Sequence, residues 1–256
     1  MSGLVAIFRK EMNNFFVSPI AYTVIACFLV IAGFFFWANL SLLSLVSLQA
    51  ANDPSISGRI NLTDVVIRPL IQNMSIVLLF LIPLLTMRLF SEERKSGTIE
   101  LLLTYPVNDL GIVLGKFLAA ICVFLIMMGC TLSFALIMLT IGSFDIGVFL
   151  SSYLGLILMG ASFIALGVFI SSVTENQIVA AAASFGAALM FWIISWTSSF
   201  TGQTMGAIIR QASIIERLDS FLKGVITLSD VTYFVFFTAF FLFLSFRSIE
   251  TQRWRG

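Results

Sequence analysis

A chain of 256 residues with 59% hydrophobic and only 11% charged side chains is unlike a soluble domain, which carries about 25% charged residues. With a mean hydropathy of +1.07, polar surface is too scarce to cover the chain, and lipid must be the solvent for much of it. The 14 Lys and Arg against 13 Asp and Glu form no basic patch for nucleic acid, and the absence of His excludes His-based acid–base chemistry, His metal sites and Ser-His triads.

The chain begins with an amphipathic pattern. Leu4, Phe8, Met12 and Phe15 or Phe16 recur at helical spacing, while Arg9, Lys10, Glu11, Asn13 and Asn14 take the other face. This predicts a helix lying in the headgroup plane before Pro19 turns the chain into the bilayer; a frayed terminal turn is the alternative. Six apolar runs follow, near 20–40, 70–90, 110–139, 148–170, 178–197 and 225–246, each close to the about 20 residues that a helix needs to cross the hydrocarbon core. The first is too long for a secretory h-region and lacks a small-residue cleavage site. None carries a charge at its centre; Lys116 and Asp230 stand near run ends, where a side chain is expected to reach the interface. Because the runs are continuous rather than alternating, barrels are excluded. The expected fold is all-α, one transmembrane domain over residues 1–256.

Between the first two runs, Ser41 to Pro69 is polar, with turn chemistry at Asn52-Asp53-Pro54 and Ser57-Gly58. Ser151 and Gly155, and Ala182 and Gly186, are small-xxx-small pairs, with Gly160 and Gly167 nearby. Such residues let helices approach closely in lipid, and bundle packing is preferred over a substrate path. Asn39, Gln72, Asn73, Thr131 and the serines and threonine of 195–199 read as helix–helix hydrogen bonds before ligands. Cys27, Cys122 and Cys130 all fall in apolar runs without a CxxC spacing; inert thiols are preferred over a soft-metal relay with the ten Met residues. After the fifth run, Ile208, Ile209, Ala212, Ile215, Leu218 and Leu222 recur at helical spacing against Arg210, Gln211, Glu216, Arg217 and Asp219. This predicts an interfacial or re-entrant helix that either gates an outward exit or caps the bundle.

Six spans put both termini on one side. That side holds Arg9, Lys10, Arg88, Arg94, Lys95, Lys116, Arg247, Arg253 and Arg255, nine basic residues; the other holds Arg59, Arg68, Arg210, Arg217 and Lys223, five. Basic residues accumulate on the cytoplasmic side, so both termini are expected there. No G-x-x-x-x-G-K-[ST] occurs, so the chain has no P-loop with which to hydrolyse nucleotide; any nucleotide energy must come from a partner.

The segment from Arg88 to Asp109 is the most informative. Gly97 breaks one helix, Thr98 can cap the next, and Tyr105, preceding Pro106, is biased out of helix. A short helix results, with Ile99, Leu102 and Leu103 on one face beside a dense charge cluster. An apolar stripe there either docks another protein or dips into the membrane interface.

Glu92-Glu93-Arg94-Lys95-Ser96-Gly97-Thr98-Ile99-Glu100-Leu101-Leu102-Leu103-Thr104-Tyr105-Pro106 resembles the E-E-R-x-x-G-T-x-E-L-L-L-x-x-P motif of type-two ABC transporter permeases, as do Pro83 to Arg88 upstream and the turn Ser171 to Gln177. Phe16 to Tyr22, Gly224 to Asp230 and Arg247 to Glu250 resemble that family's gliding-motility-associated branch. The resemblance implies an exporter-type permease in the bacterial inner membrane, paired with a second permease chain and carrying a separate ABC ATPase subunit that binds ATP and Mg; a periplasmic or auxiliary membrane subunit would fit the same scheme. It further implies that Thr98 to Thr104 is the coupling helix (Thr98, Ile99, Glu100, Leu101, Leu102, Leu103), bounded by Gly97 and Pro106, with Glu92 and Glu93 in the gate helix behind it and short extracytoplasmic helices between spans five and six. No cofactor or metal is expected in this chain, which is no enzyme itself. A scaffold for a motility, secretion or maturation machine is the second reading, and an intramembrane enzyme the third.

Overall fold

The computed structural model describes residues 3–52, 61–98, 108–142, 144–197, 211 and 213–253, without the side chains of 50–52, 195–197 and 252–253. Among them every regular element is helical. Helix α1 (Gly3–Val17) leads into α2 (Pro19–Asn52); a π-helical turn, Thr63–Ile67, opens α3 (Arg68–Thr86), and α4 (Arg88–Lys95) follows after a break at Met87. Then come α5 (Asp109–Ile141), α6 (Ile146–Val173), α7 (Gln177–Thr197), α8 (Ile214–Leu222) and α9 (Leu228–Arg253). Among the described residues, six stretches are long and apolar enough to cross a membrane: Pro19–Gln49, Thr63–Lys95, Asp109–Ile141, Ile146–Val173, Gln177–Ile194 and Leu228–Thr251. The chain is an all-α, multi-pass membrane protein.

Helix α6 is the central pillar, packed against α3, α4, α5, α7, α8 and α9. Its small residues make this possible, because lipid supplies no hydrophobic force between helices and contact depends on close approach. A Cβ on Gly155 would lie 2.7 Å from the Phe221 side chain of α8, on Gly160 2.3 Å from the Phe124 ring of α5, and on Gly167 2.1 Å from Thr86 Oγ1 of α3. The packing reading of Ser151–Gly155 therefore holds. Ala182 and Gly186 behave differently: Ala182 is exposed and nothing lies within 4 Å of a Cβ at Gly186. Stacked rings join two further pairs, Phe36 with Phe134 at 4.7 Å between α2 and α5, and Phe80 with Phe185 at 4.6 Å between α3 and α7. Thr131 receives the Tyr153 hydroxyl at 3.0 Å, a helix–helix hydrogen bond as expected.

Helix α2 corrects the reading of Ser41–Asn52 as part of a polar connection. Ser41, Ser44 and Ser47 return their hydroxyls to the Trp37, Ser41 and Leu43 carbonyls, at 3.0, 2.7 and 2.8 Å. Hydroxyls bonded to the helix's own backbone no longer oppose it, so the helix continues until Asn52, where the turn signals begin.

Helix α1 and the C-terminal part of α9 meet α4 and the end of α6 at one end of the bundle, called the near end below; α8 closes the other, the far end. Ser213 caps α8 through Glu216 N at 3.4 Å, and Gly224, at φ +80°, ends it with the paired bonds Gly224 N to Phe221 O and Val225 N to Ser220 O, both 3.0 Å. The C-terminal carbonyls of α8 are held by neighbours. Ser151 Oγ donates to Phe221 O, and Arg68 Nε to Leu222 O at 2.9 Å. Ile214, Leu218, Phe221 and Leu222 are buried, so α8 caps the bundle; residues 208–210 and 212 of the expected helix lie outside the described residues. Asp230 corrects another expectation. It does not turn out to solvent but is 3% exposed, bonded to Arg217 at 2.5 Å and to the Thr227 hydroxyl at 2.5 Å, because a carboxylate at the edge of an apolar layer is cheaper paired than bare. Asp230→Ala is expected to release Arg217 and raise thiol labelling of a cysteine placed at Leu218 several-fold; unchanged labelling would show that Arg217 contributes nothing to holding α8.

Candidate coupling site

Helix α4 carries Glu92 and Glu93, and the structure holds it from three sides. On the first side stands α1. Lys10 Nζ donates to Glu93 Oε1 at 2.7 Å. Arg88, at the start of α4, donates to Ser18 Oγ at 2.8 Å and to the Asn14 carbonyl at 2.9 Å, with its guanidinium 5.5 Å from the Phe15 ring. A cation at the carbonyl end of α1 also suits that helix's dipole.

On the second side stands α5. Lys116 is 1% exposed, with Nζ 2.8 Å from Glu11 Oε1, 2.9 Å from Glu93 Oε2 and 2.5 Å from the Leu89 carbonyl, over the Phe90 ring at 4.9 Å. Lys10, Glu11, Glu93 and Lys116 thus form a four-charge network of zero net charge that joins α1, α4 and α5. Two expectations fall here. Lys116 does not extend into solvent, and Glu11 does not lie on the solvent face of α1: it is 6% exposed, in line with Ile7 and Phe15. The physical reason is common to both, since each buried charge is stable only because the other is present. A close approach makes room for them, as a Cβ on Gly115 would meet Ile7 of α1 at 2.8 Å. Desolvation alone would lower the Lys10 pKa, but the Glu93 hydrogen bond and the fields of Glu93 and Glu11 outweigh it and hold it above its ordinary value.

On the third side stands α6. Ser171 Oγ accepts from Phe90 N at 3.0 Å and from Ser91 N at 3.2 Å, and donates to the Met87 carbonyl at 3.0 Å. Arg94 Nη1 donates to the Ser172 carbonyl, which also receives Ser248 Oγ of α9 at 3.4 Å. The turn beyond is tight: Thr174 ends α6, and Asn176 Oδ1 accepts Ile178 N at 2.9 Å to start α7.

Gly97 ends α4 as expected, at φ +70°, with its N–H on the Arg94 carbonyl at 3.1 Å. Thr98 turns its hydroxyl back to Ser96 Oγ at 2.8 Å and to the Glu93 carbonyl at 3.4 Å, closing the end of α4. Ile99, Glu100, Leu101, Leu102, Leu103 and Pro106 lie outside the described residues. Between α1 and α4 opens a cleft of about 400 Å3, whose walls include Lys10, Asn14, Ser18, Arg88, Glu92 and Thr98. Among the described residues no cluster of Cys, Asp or Glu fit for a metal ion occurs.

Sequence reasoning placed Glu92, Glu93, Gly97 and Thr98 in one segment but missed Glu11, Lys116 and Ser171 as its partners. One signal was available: a lone lysine inside a long apolar run requires an anion, and ionisable residues at membrane depth are rarely without a role. No curated protein matches the chain. The family model described as ABC-2 family transporter protein matches residues 5–223, a region running from α1 through α8 that includes all of α4 and the residues of α1, α5 and α6 that bond to it, but not Ser248 of α9. The chain belongs to the ABC-2 family of transporter proteins.

Proposed function

We propose that this chain, a membrane permease of an ABC transporter, works as an exporter driven by a separate ATPase subunit, with α4 as the arm of the coupling lever and residues 98–104 as its grip. The observation that carries the reading is the anchorage of α4: one eight-residue helix bonded to α1, α5 and α6, directly preceding the Gly97-Thr98 motif. A force applied at the grip would reach all three helices through contacts of less than 3.3 Å. ATP and Mg belong to the partner, and its binding energy need differ between two permease states by only a few kcal/mol to switch them. The near end then faces the cytoplasm of a bacterial inner membrane, in line with nine of the 14 basic residues.

A second permease chain completes the pathway in this reading. Val30, Phe34 and Trp37 on α2 and Phe236, Phe240 and Phe243 on α9 are all more than half exposed, leaving apolar faces for lipid and for that chain. The double substitution Leu102→Asp and Leu103→Asp is expected to abolish co-purification of the ATPase while membrane insertion is kept, since two carboxylates in an apolar contact remain desolvated and unpaired. Retention of the ATPase by that variant would sink the lever.

A further inference from the structure

We propose that Ser171 of α6 is a positioning residue, the pivot on which α4 turns, and that its hydroxyl works by exchanging hydrogen bonds with the backbone at the α3–α4 break. The inference rests on the reading of α4 as the arm of the lever. It starts from the break itself. Helices give way at Pro or where a side chain enters the i→i−4 ladder, and both conditions occur here. Pro83, inside α3, withholds a donor from the Leu79 carbonyl; one turn later, at Met87, Ser171 Oγ enters the ladder.

The bonding is exchangeable. In an unbroken helix Phe90 N–H would bond the Thr86 carbonyl and Ser91 N–H the Met87 carbonyl. In the structure both instead point to one oxygen on α6, which returns its own proton to Met87 O and interrupts the ladder there. Straightening α4 onto α3 therefore hands both donors back to the helix and leaves no buried N–H without a partner. Two arrangements that each satisfy the buried backbone differ little in free energy, as a hinge requires. Ser171 is fully buried, so water cannot take over its part.

The joint is also located. Gly167, one turn before Ser171 on α6, receives Thr86, whose Oγ1 would lie 2.1 Å from a Cβ there. Thr86 in its notch blocks sliding along α6, while the Ser171 bonds a turn away permit rotation. On the opposite side of α4, Lys116 and Lys10 hold Glu93 through ammonium groups, which tolerate reorientation, while the guanidinium bonds of Arg88 to Ser18 and Asn14 and of Arg94 to Ser172 must re-form when the arm turns.

The test uses the full chain in lipid nanodiscs, spin-labelled at the natural Cys130 and at Lys95→Cys, with Cys27 and Cys122 replaced by Ala. The parent is expected to show the distance of the interrupted form as its main population. Ser171→Ala leaves Phe90 N–H unpaired in the interrupted form only, and is expected to shift the ratio of the two populations about tenfold toward a second distance, whereas Ser171→Thr, which keeps the hydroxyl, stays within about twofold of the parent. An Ala variant that folds and keeps the parent distribution overturns the pivot, as does a Thr variant shifted equally far. Should the Ala variant not fold, Pro83→Ala decides: with the donor to Leu79 restored and Ser171 intact, the second distance is expected to rise several-fold, and its absence overturns the pivot. Since this equilibrium belongs to the permease alone, failure of an ATPase to co-purify with the parent sinks the coupling reading and leaves the pivot standing.

Discussion

Lys116→Met is expected to be the most damaging single substitution in the described part of the chain, lowering stability by about 3–5 kcal/mol. The volume is nearly conserved and the new side chain is apolar, so packing is not the cause. The cost comes from the anions left behind. Glu11 and Glu93, with side chains 8% and 13% exposed, lose the cation lying 2.8 and 2.9 Å from them. Lys10 alone then serves both, at 2.7 Å from Glu93 but 3.9 Å from Glu11. The Leu89 carbonyl also loses its 2.5 Å donor. Against a total folding free energy of about 5–15 kcal/mol, this is a large fraction. Thermal unfolding in detergent, followed by tryptophan fluorescence, reads the loss. Adding Glu11→Gln and Glu93→Gln to Lys116→Met is expected to recover most of it, because the penalty lies in unpaired charge. A single variant as stable as the parent would mean that the four charges do not act as a closed network.

Gly160→Ala is expected to cost about 1–3 kcal/mol through overpacking, although the same exchange normally favours a helix by about 1 kcal/mol. The Cβ would lie 2.3, 2.5 and 3.0 Å from three atoms of the Phe124 ring, and that ring is fully buried and cannot swing away. Either α5 and α6 separate or the ring leaves its rotamer. Gly33→Ala, Gly129→Ala and Gly186→Ala meet nothing within 4 Å and are expected to be neutral or mildly stabilising in the same unfolding measurement. Combining Gly160→Ala with Phe124→Leu is expected to recover part of the loss. If all four glycines respond alike, close approach at Gly160 is not what packs α5 on α6.

These two cases also show where reading from residues succeeds. The spans were legible because each is a continuous apolar run, and a bilayer accepts little else. The stop at Gly97 was legible because a left-handed residue is a local requirement of a helix end. Glu11 was misread for an equally physical reason: periodicity assigns every charge to the solvent face of an amphipathic helix, and only a cation approaching from another helix can draw one inward. Lys116, 105 residues away along the chain, was assigned to the interface on the same local logic.

By itself, the amino-acid order determined that this chain lives in lipid, how many times it crosses, that a helix stops at Gly97, and that it bears the signature of a family of permeases. Those are properties of short windows, set by transfer free energy and backbone conformation. Only the tertiary structure decided that α6 is the pillar, that α8 caps the far end, and that Glu11, Glu93 and Lys116 share one buried network beside the break held by Ser171. Partnerships between distant residues depend on which helix faces meet, and in lipid nearly every face is apolar, so hydropathy cannot tell one neighbour from another.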